Sequence, residues 1–158
     1  MEKELIIRKI KINDLKKIES LQRENADEIN NIWTFNEIFR FVEKQNGLAY
    51  LSEKNKELNG FILCLSNEDL LDIFIIFVAP LYRRGGIAEK FIKLCKIYCE
   101  KKSLKKISLE VSDQNFAAKK LYKKLKFKQV GLRKDYYSIN GIKQDAIIMQ
   151  LNIESQKS

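Results

Sequence analysis

Ile73-Phe-Ile-Ile-Phe-Val-Ala-Pro-Leu-Tyr-Arg-Arg-Gly-Gly-Ile-Ala88, with the amphipathic run that continues to Cys99, is the stretch whose reading decides the fold. Seven of the eight residues from Leu71 to Val78 are apolar, and most are β-branched or aromatic, as in a strand buried on both faces of a sheet. Pro80 ends it. Arg83, Arg84, Gly85 and Gly86 then make a basic, glycine-rich turn, and from Ile87 the apolar positions Phe91, Leu94, Cys95 and Tyr98 recur at helical spacing. The reading is strand, turn, helix. Such an arrangement aims the free N–H groups and positive dipole end of a helix at the turn, so an anion is expected there. Gly85 and Gly86 lack a Cβ and let a phosphate approach the main chain, while Arg83 and Arg84 can add charge-assisted hydrogen bonds. An ordinary βα turn with two surface arginines would have the same spacing.

Arg83-x-x-Gly86-x-Ala88, after Val78-Ala79-Pro80-x-Tyr82, resembles the acetyl-CoA pyrophosphate loop of the GNAT acetyltransferase superfamily. In that family the loop reads Gln or Arg, two residues, Gly, one residue, then Gly or Ala. The resemblance implies an α/β single-domain GNAT fold over residues 1–153, a mixed twisted sheet of about seven strands flanked by about four helices. A polar tail is expected at 154–158.

The chain has 158 residues, enough for one core without disulfides. Its hydrophobic fraction of 45% and charged fraction of 32% are those of a globular chain, and no apolar run approaches the ~20 residues that span a bilayer. The opening Met-Glu-Lys-Glu lacks the pattern of a signal peptide, so a cytoplasmic protein without a membrane partner is expected. There is no histidine, and Cys64, Cys95 and Cys99 have no framework spacing; buried small hydrophobes describe them better than a metal site or a redox pair. The net charge of +9 is mostly dispersed lysine, densest from Lys119 to Lys128. It would favour a polyanionic cofactor or a ribosomal surface at long range, but a solvated face explains it too, and no direct nucleic-acid binding is expected.

In chain order, Leu5 to Lys11 reads as a strand, with Asn13 or Asp14 capping a helix through Ile18 and Leu21. Glu24 to Asn31 is loop or irregular helix. Thr34-x-x-Glu37 is a capping-box signature for a helix through Ile38, Phe41 and Val42, which Gly47 closes. Leu48–Glu53 and Gly60–Leu65 read as antiparallel strands joined by the polar turn Asn55 to Asn59. After the central strand and helix, Lys106–Val111 puts Ile107, Leu109 and Val111 on one face and Ser108 and Glu110 on the other. Strand, crossover helix and strand in one sheet should run parallel. Asp113 or Asn115 could cap the next helix, whose stripe is Ala118, Leu121, Tyr122 and Leu125. Phe127–Leu132 and Asp145–Leu151 are the last strands, linked by a segment with Tyr136, Tyr137 and the turn Asn140-Gly141.

Ligands of a parallel βαβ unit bind outside the carboxyl ends of its strands, here near Val78 and Val111. By residue type alone, Glu110 reads as a solvent-facing carboxylate and Tyr122 as a core aromatic. Leu109-Glu110-Val111, Asn115, Ala117-Ala118, Leu121-Tyr122 and Phe127, followed by Asp135-Tyr136-Tyr137 and Asp145-Ala146-Ile147-Ile148-Met149, resemble the bacterial ribosomal-protein alanine N-acetyltransferase family. The similarity runs from about Ile76 to Leu151; earlier, Trp33-Thr34 resembles a Pro-Trp-Ser segment with Ile32 in place of proline. The resemblance implies that Ile76, Phe77 and Val78 bind the acetyl-pantetheine arm, that Arg83, Arg84, Gly85, Gly86, Ile87 and Ala88 hold the pyrophosphate, and that Asn115 contacts the cofactor. It implies Glu110 as proton acceptor and Tyr122 as proton donor, with segments near Trp33, Tyr136 and Tyr137 lining the acceptor site. Two departures from the family are Ala88, where glycine is commoner, and Lys126, where glycine usually precedes Phe127. Lys126 is therefore expected to be left-handed, at a cost of ~1 kcal/mol.

The chemistry asks for these residue types. An amine attacks a thioester only when neutral, so a carboxylate must take its proton, directly or through a water. The departing thiolate leaves more easily if protonated, and a phenol of pKa ~10 still carries its proton at neutral pH. Presenting a neutral lysine (pKa ~10.4) at pH 7 costs about 3 kcal/mol more than presenting an α-amine (~8), which favours an N-terminal acceptor. The implied activity is acetyl transfer from acetyl-CoA to a protein N-terminus, that of a small-subunit ribosomal protein, with no metal. A GNAT enzyme acting on lysine or a small-molecule amine is one alternative. A basic ribosome- or RNA-binding module with a vestigial CoA site is the other.

Overall fold

The computed structural model describes residues 4–154, so residues 155–158 of the expected tail lie outside the described residues. The elements are β1 (Leu5–Lys9), α1 (Leu15–Glu24), α2 (Phe35–Glu43), β2 (Gly47–Lys54), β3 (Glu57–Asn67), β4 (Leu70–Val78), α3 (Ile87–Lys102), β5 (Lys106–Ser112), α4 (Phe116–Lys124), β6 (Lys128–Ile139) and β7 (Ile142–Asn152). The seven strands form one sheet in the order β1-β2-β3-β4-β5-β7-β6. The β4–β5 pair is parallel and the other pairs are antiparallel, the mixed α/β architecture expected of the GNAT fold.

Two apolar layers cover the sheet. Under α3 and α4, Ile87, Phe91, Ile92, Cys95, Cys99 and Phe127 pack on Leu71, Ile73, Ile107, Leu109 and Met149. On the opposite face, Leu15, Ile18, Ile38 and Phe41 of α1 and α2 cover Leu51, Phe61, Leu63 and Phe77. Each such fully buried side chain contributes roughly 1.5–3 kcal/mol of transfer free energy. The cysteines lie in the first layer as free thiols, with Cys64 Sγ 3.9 Å from Cys95 Sγ.

The central parallel pair is paired over only part of its length. β4 pairs with β5 only from Leu70↔Lys106 to Ile73↔Leu109. Yet β3 holds β4 as far as Val78, and β7 holds β5 as far as Ser112. Beyond Ile73 and Leu109 the two strands therefore diverge, and the facing edges of Phe74–Val78 and Glu110–Ser112 lack a ladder. The cause lies in β4: Cys64 is opposite Ile73 and Leu63 opposite Ile75, so Phe74 is an extra residue, and such a bulge bends its strand.

Local expectations were met at several points. The Thr34 amide donates to Glu37 Oε2 at 2.8 Å and the Glu37 amide to Thr34 Oγ1 at 3.4 Å, a reciprocal capping box. Lys126 is left-handed at φ +75. Asn140 and Gly141, at φ +52 and +74, make the tight turn of the β6–β7 hairpin.

Four expectations need correction. β1 stops at Lys9 because Ile12–Asp14 forms a 3-10 turn; Asp14 does stand at the N-cap of α1, but its carboxylate makes no cap bond there and accepts from the Lys11 amide (2.7 Å) and from two Arg8 nitrogens (2.8 Å each). The Arg8 guanidinium holds that carboxyl below its usual range. The β2–β3 turn is only Asn55-Lys56, both at positive φ, which pairs Lys54 with Glu57 and lengthens both strands. Gly47 opens β2 and does not close α2, which ends at Glu43. Tyr136 and Tyr137 lie inside β6, where an irregularity between Arg133 and Tyr137 interrupts the pairing and hides the strand from a period-2 reading.

Candidate active site

The turn after β4 has the chemistry of an anion cradle. Pro80–Tyr82 forms one 3-10 turn, Arg84 and Gly86 take positive φ (+65 and +83), and the first amide of α3 with a helical partner is that of Lys90, bonded to the Gly86 carbonyl at 3.0 Å. Among the described residues, the amides from Arg84 to Glu89 donate to no protein group. Successive free amides in such a turn, reinforced by the helix dipole, favour a bound anion. A Cβ on Gly86 would meet no protein atom within 4 Å, so this position faces open space. The side chain of Arg83 departs from expectation. Its Nε donates to the Val78 carbonyl at 2.9 Å, a terminal nitrogen pairs with Glu28, and the guanidinium lies 5.7 Å from the Phe77 ring centroid. Arg83 thus braces the end of β4, while Arg84 is exposed.

Ile76, Phe77 and Val78 belong to the part of β4 that has no β5 partner. An extended amide-bearing chain can add to such an edge as another strand would. With the amide turn just beyond Val78, the residues present fit an extended arm joined to a pyrophosphate, which is the form of acetyl-CoA. Asn115 caps α4, its Oδ1 accepting from the Ala118 amide at 3.2 Å.

The alternation of β5 sends Ile107, Leu109 and Val111 into the core under α3 and turns Glu110 to the other face. Glu110 Oε1 lies 3.3 Å from Arg133 Nε. The Arg133 guanidinium is 5.2 Å from the Tyr136 centroid, and Tyr136 meets Tyr137 edge to face at 5.2 Å. Burial, then the charge of Glu110, pushes the Tyr137 phenol up to about 12. The carboxyl of Asp72 is raised by burial and then by Glu110, with Arg133 opposing. Tyr122 enters from the α4 side, buried against Phe127 at 5.7 Å. Burial and then the neighbouring Tyr137 raise its phenol far above the ordinary value, so it is neutral at physiological pH. Its hydroxyl has no hydrogen-bond partner among the described residues. Glu110, Tyr136 and Tyr137 are thus gathered on one face, and Tyr122 lies within electrostatic range of Tyr137 from the other side of the sheet.

Trp33 stands in a separate cluster. It packs edge to face on Phe41 (5.8 Å) and Phe74 (6.0 Å), and its peptide is clamped by the buried Gln22, which donates to the Trp33 carbonyl at 3.0 Å and accepts from its amide at 2.8 Å. Sequence reasoning missed Gln22, Glu28, Asn30, Asp72, Phe74 and Arg133. Asp72 had left a signal as the one polar residue within the apolar strand Leu70–Val78. Asn30, whose Oδ1 accepts from the Ser138 amide at 2.9 Å, left none, because its partner is 108 positions away. Among the described residues no group of three or more acidic, cysteine or histidine side chains is placed to hold a metal, and no helix is long and apolar enough to cross a membrane.

The unpaired ends of two parallel strands lie beside a helix N-terminus, and residues 12–127 match the Acetyltransferase (GNAT) family profile. The chain belongs to this family and is an N-acetyltransferase by class. It is 32% identical over 106 residues to the ribosomal protein bS18-alanine N-acetyltransferase of Escherichia coli (strain K12), covering 67% of this chain and 72% of that protein. A Bacillus subtilis (strain 168) protein provisionally given the same name is 28% identical over 154 residues, 97% of this chain and 99% of that one. The crystal structure of the Escherichia coli ribosomal-protein-S18-alanine N-acetyltransferase superposes with a TM-score of 0.84 at 24% identity, covering 98% of this chain and 97% of the other. Arabidopsis thaliana NAA60, solved in complex with acetyl-CoA, superposes at 0.80 with 21% identity, covering 95% and 99%.

Proposed function

We propose that this protein transfers the acetyl group of acetyl-CoA to a protein N-terminal α-amine, that of the N-terminal alanine of a small-subunit ribosomal protein, in the cytoplasm. The observation that carries the reading is the parted β4–β5 edge, with a carboxylate on one side and a neutral, otherwise unbonded phenol on the other. The relatives named for bS18 support the acceptor. Ile76 to Val78 bind the acetyl-pantetheine arm through the open edge, the amides of Arg84 to Ala88 hold the pyrophosphate, and Asn115 contacts the arm from α4. Arg83 acts by bracing the turn.

Glu110 accepts the proton of the acceptor amine, directly or through a water, so that the amine can attack the thioester carbonyl. Tyr122 gives its proton to the departing thiolate. Its burial keeps the proton in place until charge develops on sulfur. Tyr136 and Tyr137 line the acceptor side, and Trp33 shapes the approach through Phe74. Acetyl-CoA turnover on a panel of N-terminal peptides, with free lysine and a small amine beside them, tests the proposal. Turnover confined to alanine-initiated peptides is expected; preference for lysine or a small amine would refute it.

A further inference from the structure

Glu110 is engaged from within the chain. Its partner, Arg133, lies on β6, where the three residues Lys134, Asp135 and Tyr136 stand between the paired positions Arg133↔Ala146 and Tyr137↔Gln144. Asp135 takes φ +50 and donates its amide to Asp145 Oδ1 at 2.8 Å, which anchors this bulge. The bulge brings the Tyr136 ring against the Arg133 guanidinium while Nε faces Glu110 at 3.3 Å. A cation is thus held between a carboxylate and an aromatic face, the pair of contacts that also suits an alkylammonium. One carboxylate at this spacing cannot serve two cations without their mutual repulsion.

We propose that the Arg133 guanidinium occupies, between Glu110 and Tyr136, the position that the acceptor's ammonium takes on binding, so that Arg133 must swing away and sets the threshold for acceptor entry. The proposal rests on the reading of Glu110 as the acceptor-side carboxylate. Arg133 is 53% exposed and has room to move outward. A partly exposed ion pair of this kind exchanges readily, which a placeholder requires. Arg133 is therefore a specificity element that disfavours weakly bound cations, and is not itself a catalytic residue.

The test reads binding, not turnover, on the full chain with CoA present. L-alaninamide, which carries an α-ammonium, and propionamide, which lacks it, are titrated by NMR into wild type, R133Q and R133K. R133Q should bind L-alaninamide about fivefold more tightly, with R133K within about twofold of wild type and propionamide unchanged. Unchanged affinity in R133Q overturns the proposal by making the ion pair idle, and weaker affinity overturns it by making Arg133 an acceptor contact. E110Q gives a second route that leaves Arg133 in place: it should erase the preference for L-alaninamide over propionamide, and a retained preference overturns the proposal. Peptide acetylation is assayed separately. If R133Q gains L-alaninamide affinity while neither enzyme acetylates an N-terminus, the proposed function fails and the placeholder stands.

Discussion

Replacing Gly86 with Glu puts the anion cradle to a quantitative test. Gly86 sits at φ +83, where an L side chain costs roughly 1–2 kcal/mol, and its Cβ direction is free of protein atoms, so no clash adds to that cost. An acidic side chain at a helix N-terminus recovers about 0.3–1 kcal/mol of it through the dipole. The net loss of about 1 kcal/mol should lower Tm by only ~2–4 °C in a chain of this size. Binding should suffer far more. A carboxylate about 5 Å from a phosphate charge, at an effective dielectric of roughly 20–40, repels it by about 2–3 kcal/mol, and a pyrophosphate carries more than one charge. CoA affinity should therefore fall roughly a hundredfold or more, measured by calorimetry. Gly86→Lys, with the same backbone strain and the opposite charge, should retain most of the affinity. Equal losses in Glu and Lys variants would show that the side chain's bulk or backbone strain acts, and wild-type affinity in the Glu variant would remove the phosphate from this turn.

Tyr122→Phe keeps the ring against Phe127 and removes a hydroxyl without a protein partner, so Tm should be unchanged while kcat falls on the order of a hundredfold or more and acetyl-CoA affinity changes little; wild-type turnover would leave Tyr122 a packing residue. Glu110→Gln cannot accept a proton, and its kcat/KM should drop most at neutral pH and partly recover as pH rises through the acceptor amine's pKa of ~8, because solvent then supplies the neutral amine. An equal loss at about pH 6.5 and about pH 9.5 would assign Glu110 to positioning or folding. Gln22→Ala should cost about 2–4 kcal/mol in urea unfolding, since it strands both the amide and the carbonyl of Trp33; a loss below about 0.5 kcal/mol would mean that water replaces the clamp.

The strand-turn-helix unit was legible because its signals are local: a β-rich apolar run, a proline, two glycines and a helical stripe within thirty residues. The same holds for the Thr34–Glu37 box and the Asn115 cap. The bulges were not legible. Phe74 reads as one more apolar strand residue, and only its place between Ile73 and Ile75, opposite Cys64 and Leu63, shows that it parts β4 from β5. Glu110 and Tyr122 were singled out by resemblance alone, since an alternating strand and a helical stripe assign one to solvent and the other to the core with equal ease. The contacts of Arg83 were not legible for a physical reason: its carboxylate partner, Glu28, is 55 positions distant. The grouping of Asp72, Glu110 and Arg133 comes from three strands whose order no local pattern encodes.

The irregular segment between α1 and α2 behaves mechanically as a crossbar. Glu28 is fastened to Arg83, in the turn after β4, and Asn30, two residues on, is fastened to Ser138 on β6, while Gln22 grips Trp33 where the segment enters α2. The turn after β4 and the Ser138 end of β6 are therefore tied together through a strip of chain that belongs to neither. Under the proposed function, lengthening or loosening that strip would alter how far apart donor and acceptor are held without touching Glu110 or Tyr122, so a new acceptor preference could arise there at little cost to the chemistry.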